Sequence, residues 1–127
     1  MQVFGSSNEN AYGNMIRPDR EAAMYRAGKE LIRPLDIRDI ESLAGYMRRN
    51  HVGSLEIDSR NSRVFKVSNC LTCSTMEQMG RKACFFEAGL IAGALESIYG
   101  KMVYVRETKC QCIGDDVCEF EVIFRGN

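Results

Sequence analysis

Glu107-Thr108-Lys109-Cys110-Gln111-Cys112-Ile113-Gly114-Asp115-Asp116-Val117-Cys118 decides how this chain is read. Two thiols, Cys110 and Cys118, flank a Gly114-Asp115 turn, and a carboxylate stands just upstream at Glu107. The segment predicts a terminal hairpin, with strands over Lys101–Lys109 and Val117–Phe124. Upstream, Cys84 opens the most apolar helix of the chain, which runs to Tyr99 and is closed by Gly100. At a helix start the backbone N–H groups and the dipole favour a thiolate. Together Cys84, Glu107, Cys110 and Cys118 read as a closed four-ligand set that suits Zn²⁺ in tetrahedral geometry, with no open position for a reactive water. Such a site is structural and would join a helix start to the C-terminal hairpin. It makes one geometric demand. Positions 107 and 110 point to opposite faces of a regular strand, so a bulge near Thr108-Lys109 is required. Lys82, Arg106 and Lys109 are at hand to offset the negative charge of the ligands.

Working outward, residues 1–17 carry Gly5, Gly13, serines and asparagines with little periodicity, which predicts an N-terminal arm. The rest, residues 18–127, reads as a single domain. Pro18 suits a first helical turn, and that helix continues to Pro34. A second helix is predicted to open at Asp36 and to bury Ile37, Ile40, Leu43, Ala44 and Met47 at helical spacing. Strands follow over Val52–Asp58 and Ser62–Ser68, and a loop then carries Cys70 and Cys73. The order helix, helix, strand, strand, helix, strand, strand favours an α+β fold with helices on one face of an antiparallel sheet.

Composition narrows the function. The 127 residues hold 17 basic and 17 acidic side chains, so there is no basic footprint for nucleic acid. No apolar run reaches the roughly 20 residues of a membrane span, and no signal-peptide pattern opens the chain; a cytoplasmic location is expected. In a reducing compartment six cysteines point to metal ligation or redox chemistry rather than to disulfides. His51, the sole histidine, follows Arg48-Arg49-Asn50 and reads as a cap or solvent-facing residue. No nucleophile–base pair, carboxylate dyad or phosphate loop is visible, which argues against an enzyme.

From Asn69 to Glu121 the chain resembles the 4-vinyl reductase (vinyl-4-reductase) domain family of small-molecule-binding α+β domains. The resemblance is carried by Cys84-Phe85-Phe86-Glu87-Ala88-Gly89-Leu90-Ile91-Ala92-Gly93, by Glu107-Thr108-Lys109-Cys110, and by Gly114-Asp115 with Cys118-Glu119-Phe120-Glu121. Tyr25-Arg26-Ala27-Gly28 matches the family's first helix more loosely. In the family's sensory members, which regulate aromatic-hydrocarbon degradation, three cysteines and a glutamate hold zinc. By motif this implies Cys84, Glu107, Cys110 and Cys118 here. The resemblance also implies an apolar ligand pocket beside the metal and a tendency to dimerise. It further implies kinship to a Golgi-tethering subunit that holds a fatty-acyl chain and to a haem nitric-oxide sensor domain. The chain departs from the sensors in lacking an ATPase or helix-turn-helix segment and in carrying Cys70, Cys73 and Cys112 besides the four ligands.

Phe65, Phe85, Gly89, Gly93, Tyr104 and Phe120 would ordinarily be core. With the resemblance they become expected lining for a cavity between the Cys84–Tyr99 helix and the sheet. The reading is therefore a zinc-containing domain that binds an apolar, aromatic or tetrapyrrole-like small molecule as sensor or carrier. It is expected to form a homodimer around Met24, Tyr25 and Leu31, or to act through a protein partner. Two alternatives stay open: an accessory of reductive tetrapyrrole chemistry, and a thiol redox or metal-handling protein using Cys70, Cys73 and Cys112.

Overall fold

The computed structural model describes the backbone of residues 6–74 and 83–125, with side chains in those stretches from residue 19 onward. In chain order the elements are α1 (Ser6–Ile32), α2 (Ile40–Arg49), β1 (Ser54–Ile57), β2 (Val64–Ser68), α3 (Leu71–Ser74), α4 (Phe85–Tyr99), β3 (Met102–Lys109), a 3-10 turn (Gln111–Ile113) and β4 (Cys118–Arg125). The strands form one four-stranded sheet in the order β1-β2-β4-β3, antiparallel at every pairing. This is the α+β class expected.

One face of the sheet is packed. Phe65 and Val67 on β2, Val103, Val105 and Glu107 on β3, and Cys118, Phe120 and Val122 on β4 are buried, and their strand neighbours are more exposed. Register aligns them, with Phe65 opposite Phe120, Val67 opposite Cys118 and Val105 opposite Val122. β3 and β4 slip register between Glu107 and Lys109, the irregularity that the ligand spacing demanded. α4 contacts β3 and is buried continuously from Glu87 to Leu95. A helix apolar on all sides must be covered on all sides, and α1 supplies the second cover. Leu90, Ile91 and Leu95 are fully buried, each stabilising by roughly 1.5–3 kcal/mol. Gly100 closes α4 in the left-handed region at φ 68, its N–H donating to the Glu96 carbonyl.

The α1–α4 contact is the closest in the molecule to a backbone-on-backbone seam. A Cβ on Gly28 would stand 2.8 Å from the Leu90 nitrogen, and one on Gly93 would stand 3.0 Å from the Lys29 Cα. Gly89 sits against the Tyr25 carbonyl with no space for a side chain. The Gly89-x-x-x-Gly93 stripe thus faces α1, not the sheet. α1 also shields the free edge of β3: the Val105 N–H donates to the Tyr25 hydroxyl at 3.0 Å, and the Val103 N–H to Glu96 Oε2 at 3.0 Å. Lys29 holds the same Glu96 oxygen at 3.0 Å.

Two expectations need correction. α1 begins at Ser6, inside the stretch read as an arm, and continues through Gly13 and Pro18. An interior proline costs about 3 kcal/mol, so Pro18 looks like a start from local signals. Glu9, Ala11, Met15 and Arg17, good helix formers, nevertheless carry the helix across it. α2 opens at Asp39 rather than Asp36. The Asp39 carboxylate accepts from the Ser42 N–H at 2.8 Å and its hydroxyl at 2.7 Å, while Asp36 stays exposed and pairs with Arg38. Leu43 and Met47 are buried as expected, and Ile37 is buried just ahead of the helix. Among the described residues no helix is long and apolar enough to cross a membrane.

Candidate metal centre and adjoining cleft

The start of α4, the short α3 and the β3–β4 connection meet at one point and bring all six cysteines there. Cys84 is the N-cap residue of α4; its N–H donates to Glu107 Oε1 at 3.1 Å. The register slip turns Glu107 inward beside Cys110. The 3-10 turn folds the connection back, with the Cys110 N–H bonded to Asp115 at 2.8 Å and the Gln111 N–H to Cys118 Sγ at 3.3 Å. An N–H aimed at a sulfur favours the thiolate and orients it. Cys70 is fixed by its N–H donating to the Gln111 side chain at 3.1 Å.

The ligand atoms of Cys84, Glu107, Cys110 and Cys118 lie within 4.8 Å of one another, all buried. Cys84 Sγ stands 3.7 Å from Cys110 Sγ and 3.5 Å from Cys118 Sγ. Two further sets meet the same limit: Cys70, Cys73, Cys84 and Cys118, and Cys73, Cys84, Cys110 and Cys112. Cys70 and Cys73 lie 3.1 Å and 3.2 Å from Cys84. Cys73 and Cys112 are in sulfur–sulfur contact, with Cα atoms 5.1 Å apart. The cysteine cluster could hold a metal. The donor chemistry fits a cation on a second count: Glu107 Oε2 is buried without a hydrogen-bond partner among the described residues, an arrangement that is costly unless a positive charge faces it.

Electrostatics agree with crowded, proton-sharing ligands. Burial first, then the neighbouring Cys110, pushes the Glu107 carboxyl up to about 9. Contacts with Cys110, Cys118 and Cys70 push the Cys84 thiol up, and Cys118 rises chiefly through Cys110. Conversely, contacts with Cys118 and Cys84 hold the Cys70 and Cys110 thiols down. Two sulfurs accept and two donate, which is the behaviour of a coupled set rather than of single thiols. Glu87, one turn into α4, is fully buried; burial and then Cys70 raise it to about 7. Its Oε2 accepts from the Thr72 hydroxyl at 2.6 Å and N–H at 3.2 Å, tying α3 to α4.

The cations expected to offset the cluster are engaged elsewhere: Arg106 pairs with Glu121, and Lys109 stands 3.9 Å from Glu119. Lys82 lies outside the described residues. His51 is exposed just past α2, in the left-handed region at φ 57.

Beside the cluster a cleft of about 400 Å³ opens between α1, the start of α4 and β3. Ala22, Tyr25, Phe85, Ala88, Tyr104 and Val105 form its apolar wall, Glu21, Arg26 and Arg106 add charge, and Glu107 belongs to both cleft and cluster. Of the six residues expected to line a cavity, Phe85 and Tyr104 are here. Phe65 and Phe120 instead pair across β2 and β4 in the core, and Gly89 and Gly93 are covered by α1. Sequence reasoning missed Tyr25 and Ala88 as lining; Tyr25 had only been assigned to an interface.

Fold and thiol cluster together define a small α+β domain with a metal-competent knot at one end of its sheet. Residues 63–124 match the 4-vinyl reductase domain family, and the chain belongs to it. Two uncharacterized proteins of Methanocaldococcus jannaschii, MJ1642 and MJ0745, are similar at 35% and 40% identity, each over 82% of this chain. The chain spans 65% and 57% of their respective lengths. The crystal structure of a vinyl-4-reductase family protein from the same organism is similar with a TM-score of 0.73 at 26% identity, covering 94% of this chain and 82% of that one. Two structures share the fold at 14% identity. The phenol-responsive sensory domain of the transcription activator PoxR with phenol has a TM-score of 0.57, covering 80% of this chain and 63% of that one. A trafficking protein particle complex subunit 3 from Naegleria fowleri, covalently bound to palmitic acid, has a TM-score of 0.63, covering 98% and 94%.

Proposed function

We propose that this domain is a metal-structured binding module for an apolar small molecule, acting as sensor or carrier. The observation that carries the reading is the cleft beside the thiol cluster, with Glu107 common to both. A volume of about 400 Å³ suits a small ligand, and aromatic walls with a few polar groups are the usual make-up of such sites. Proteins of the same fold carry phenol and palmitic acid, so aromatic and acyl compounds are the ligand classes to try first. Cys84, Glu107, Cys110 and Cys118 would hold Zn²⁺ in a closed tetrahedron. The ion would supply no bond-making chemistry there; it would clamp the start of α4 to the hairpin and thereby fix one wall of the cleft.

Ala22 lies exposed on α1 at the cleft, so Ala22→Trp fills it without entering the core. Phenol or palmitate should raise the melting temperature of the parent and not of the variant, at equal zinc content. A parent that no aromatic or acyl compound stabilises would overturn the reading. A homodimer through α1 goes with this function: Met24 and Leu31 are 43% and 48% exposed, whereas Tyr25 is turned toward β3. Sedimentation of the parent is expected at twice the 14.4 kDa chain mass, and of Leu31→Glu at the chain mass.

A further inference from the structure

We infer that the thiol cluster is built for two metal ions joined by cysteine bridges. The inference rests on the metal reading above and adds Cys70 and Cys73 to it. Two of the four-donor sets overlap in a particular way. Cys84, Glu107, Cys110 and Cys118 form one, and Cys70, Cys73, Cys84 and Cys118 form the other. They share Cys84 and Cys118, whose sulfurs are 3.5 Å apart.

Two tetrahedra fused along an edge need two bridging donors and two terminal donors for each ion, and the cluster meets this count. Cys84 and Cys118 bridge; Glu107 and Cys110 complete the first ion, Cys70 and Cys73 the second. With metal–sulfur bonds of about 2.3 Å, a tetrahedron edge is about 3.8 Å. Cys84 to Cys110 is 3.7 Å, Cys84 to Cys118 is 3.5 Å and Cys73 to Cys118 is 3.8 Å, with Cys70 and Cys73 slightly nearer Cys84. An iron–sulfur cluster keeps its irons and sulfides between the cysteine sulfurs. Donors that all lie within 4.8 Å of one another leave space for single ions only.

Charge balance points the same way. One dication among three thiolates and a carboxylate leaves an excess of two negative charges. A second dication brings two positive charges and two more thiolates, Cys70 and Cys73, so the excess does not grow. Thiolate-rich donors select a soft or borderline ion, Zn²⁺ first. Cys112 is the competitor: bonded to Cys73 it withdraws that sulfur from the second ion, so the two-ion state belongs to the fully reduced protein.

The test is metal stoichiometry of the full chain, purified with zinc under anaerobic reducing conditions and read by native mass spectrometry and elemental analysis. Two Zn²⁺ per chain are expected, with one in Cys70→Ser and two in Cys112→Ser. One ion per chain in the parent overturns the inference and leaves the single-ion reading standing; none overturns both. Should Cys70→Ser fail to fold, the parent loaded with two equivalents of Co²⁺ decides. Thiolate bridges couple the two ions antiferromagnetically and lower the magnetic moment, and two magnetically independent ions would overturn the bridged arrangement.

Discussion

Replacing Gly89 with alanine adds one methyl group where α1 leaves no space for it. To bring that methyl to ordinary van der Waals contact at 3.4 Å from the Tyr25 carbonyl carbon and oxygen, α1 must retreat by more than 1 Å, because the obstacle is backbone. Forced overpacking of this kind costs about 1–3 kcal/mol. The retreat also stretches the Tyr25 hydroxyl from the Val105 N–H, a bond contributing about 1 kcal/mol, and loosens the half-exposed Lys29–Glu96 pair, which contributes less. Against these stands the helix preference for alanine over glycine, about 1 kcal/mol. The net expectation is a loss of about 1–3 kcal/mol. Gly45 in α2 provides the contrast, since a Cβ there meets only the mobile end of Arg49, at 3.0 Å. Gly45→Ala should therefore keep the propensity gain and stabilise by up to about 1 kcal/mol. Equilibrium urea unfolding of the metal-loaded proteins measures both. Gly89→Ala at or above the parent's stability would refute the close-seam account.

Three further outcomes follow from particular contacts. Tyr25→Phe removes the acceptor of the Val105 N–H, so amide exchange at Val105 should accelerate and stability fall by about 1–3 kcal/mol; unchanged exchange would show that the edge is capped by something else. Glu87 is raised from 4.5 to about 7 by burial, so its contribution is full below pH 4.5 and is lost as pH rises through about 7. In metal-free protein, Glu87→Gln should abolish that decline, worth up to about 3 kcal/mol between pH 4 and 8 in urea unfolding, and equal slopes for parent and variant would contradict the burial effect. Cys84→Ser takes a donor common to all three sets, so the variant should lose its metal and melt lower, and EDTA should lower the melting point of the parent alone.

Much of this was legible in the chain. Gly100 announced the end of α4, and the opposed directions of positions 107 and 110 forced the register slip between Glu107 and Lys109. Cys84, Glu107, Cys110 and Cys118 could be grouped because a helix start and a hairpin each present donors at one end. Cys70 and Cys73 could not be placed in the same cluster. Their position depends on α3, a single turn held by Thr72 on Glu87, and a contact of that kind leaves no periodic trace in sequence. The Gly89–Gly93 stripe states that something approaches closely but not what, and it is α1 that fills the groove. For that reason the cleft lies along α1 and β3, at Tyr25 and Ala88, rather than under α4. Asp36 and Asp39 offer equivalent caps on paper; the bonds from Ser42 distinguish them only in three dimensions.

The central claim, that the cleft against α1 is a small-molecule site built onto a metal-clamped frame, is tested most directly by backbone amide NMR of the zinc-loaded protein titrated with phenol and, separately, palmitate. The account predicts saturable shifts for at least one of the two, concentrated on Ala22, Tyr25, Phe85, Ala88, Tyr104 and Val105 and lost in the EDTA-treated protein. Shifts confined to other surfaces, or none for either compound with zinc in place, would contradict it.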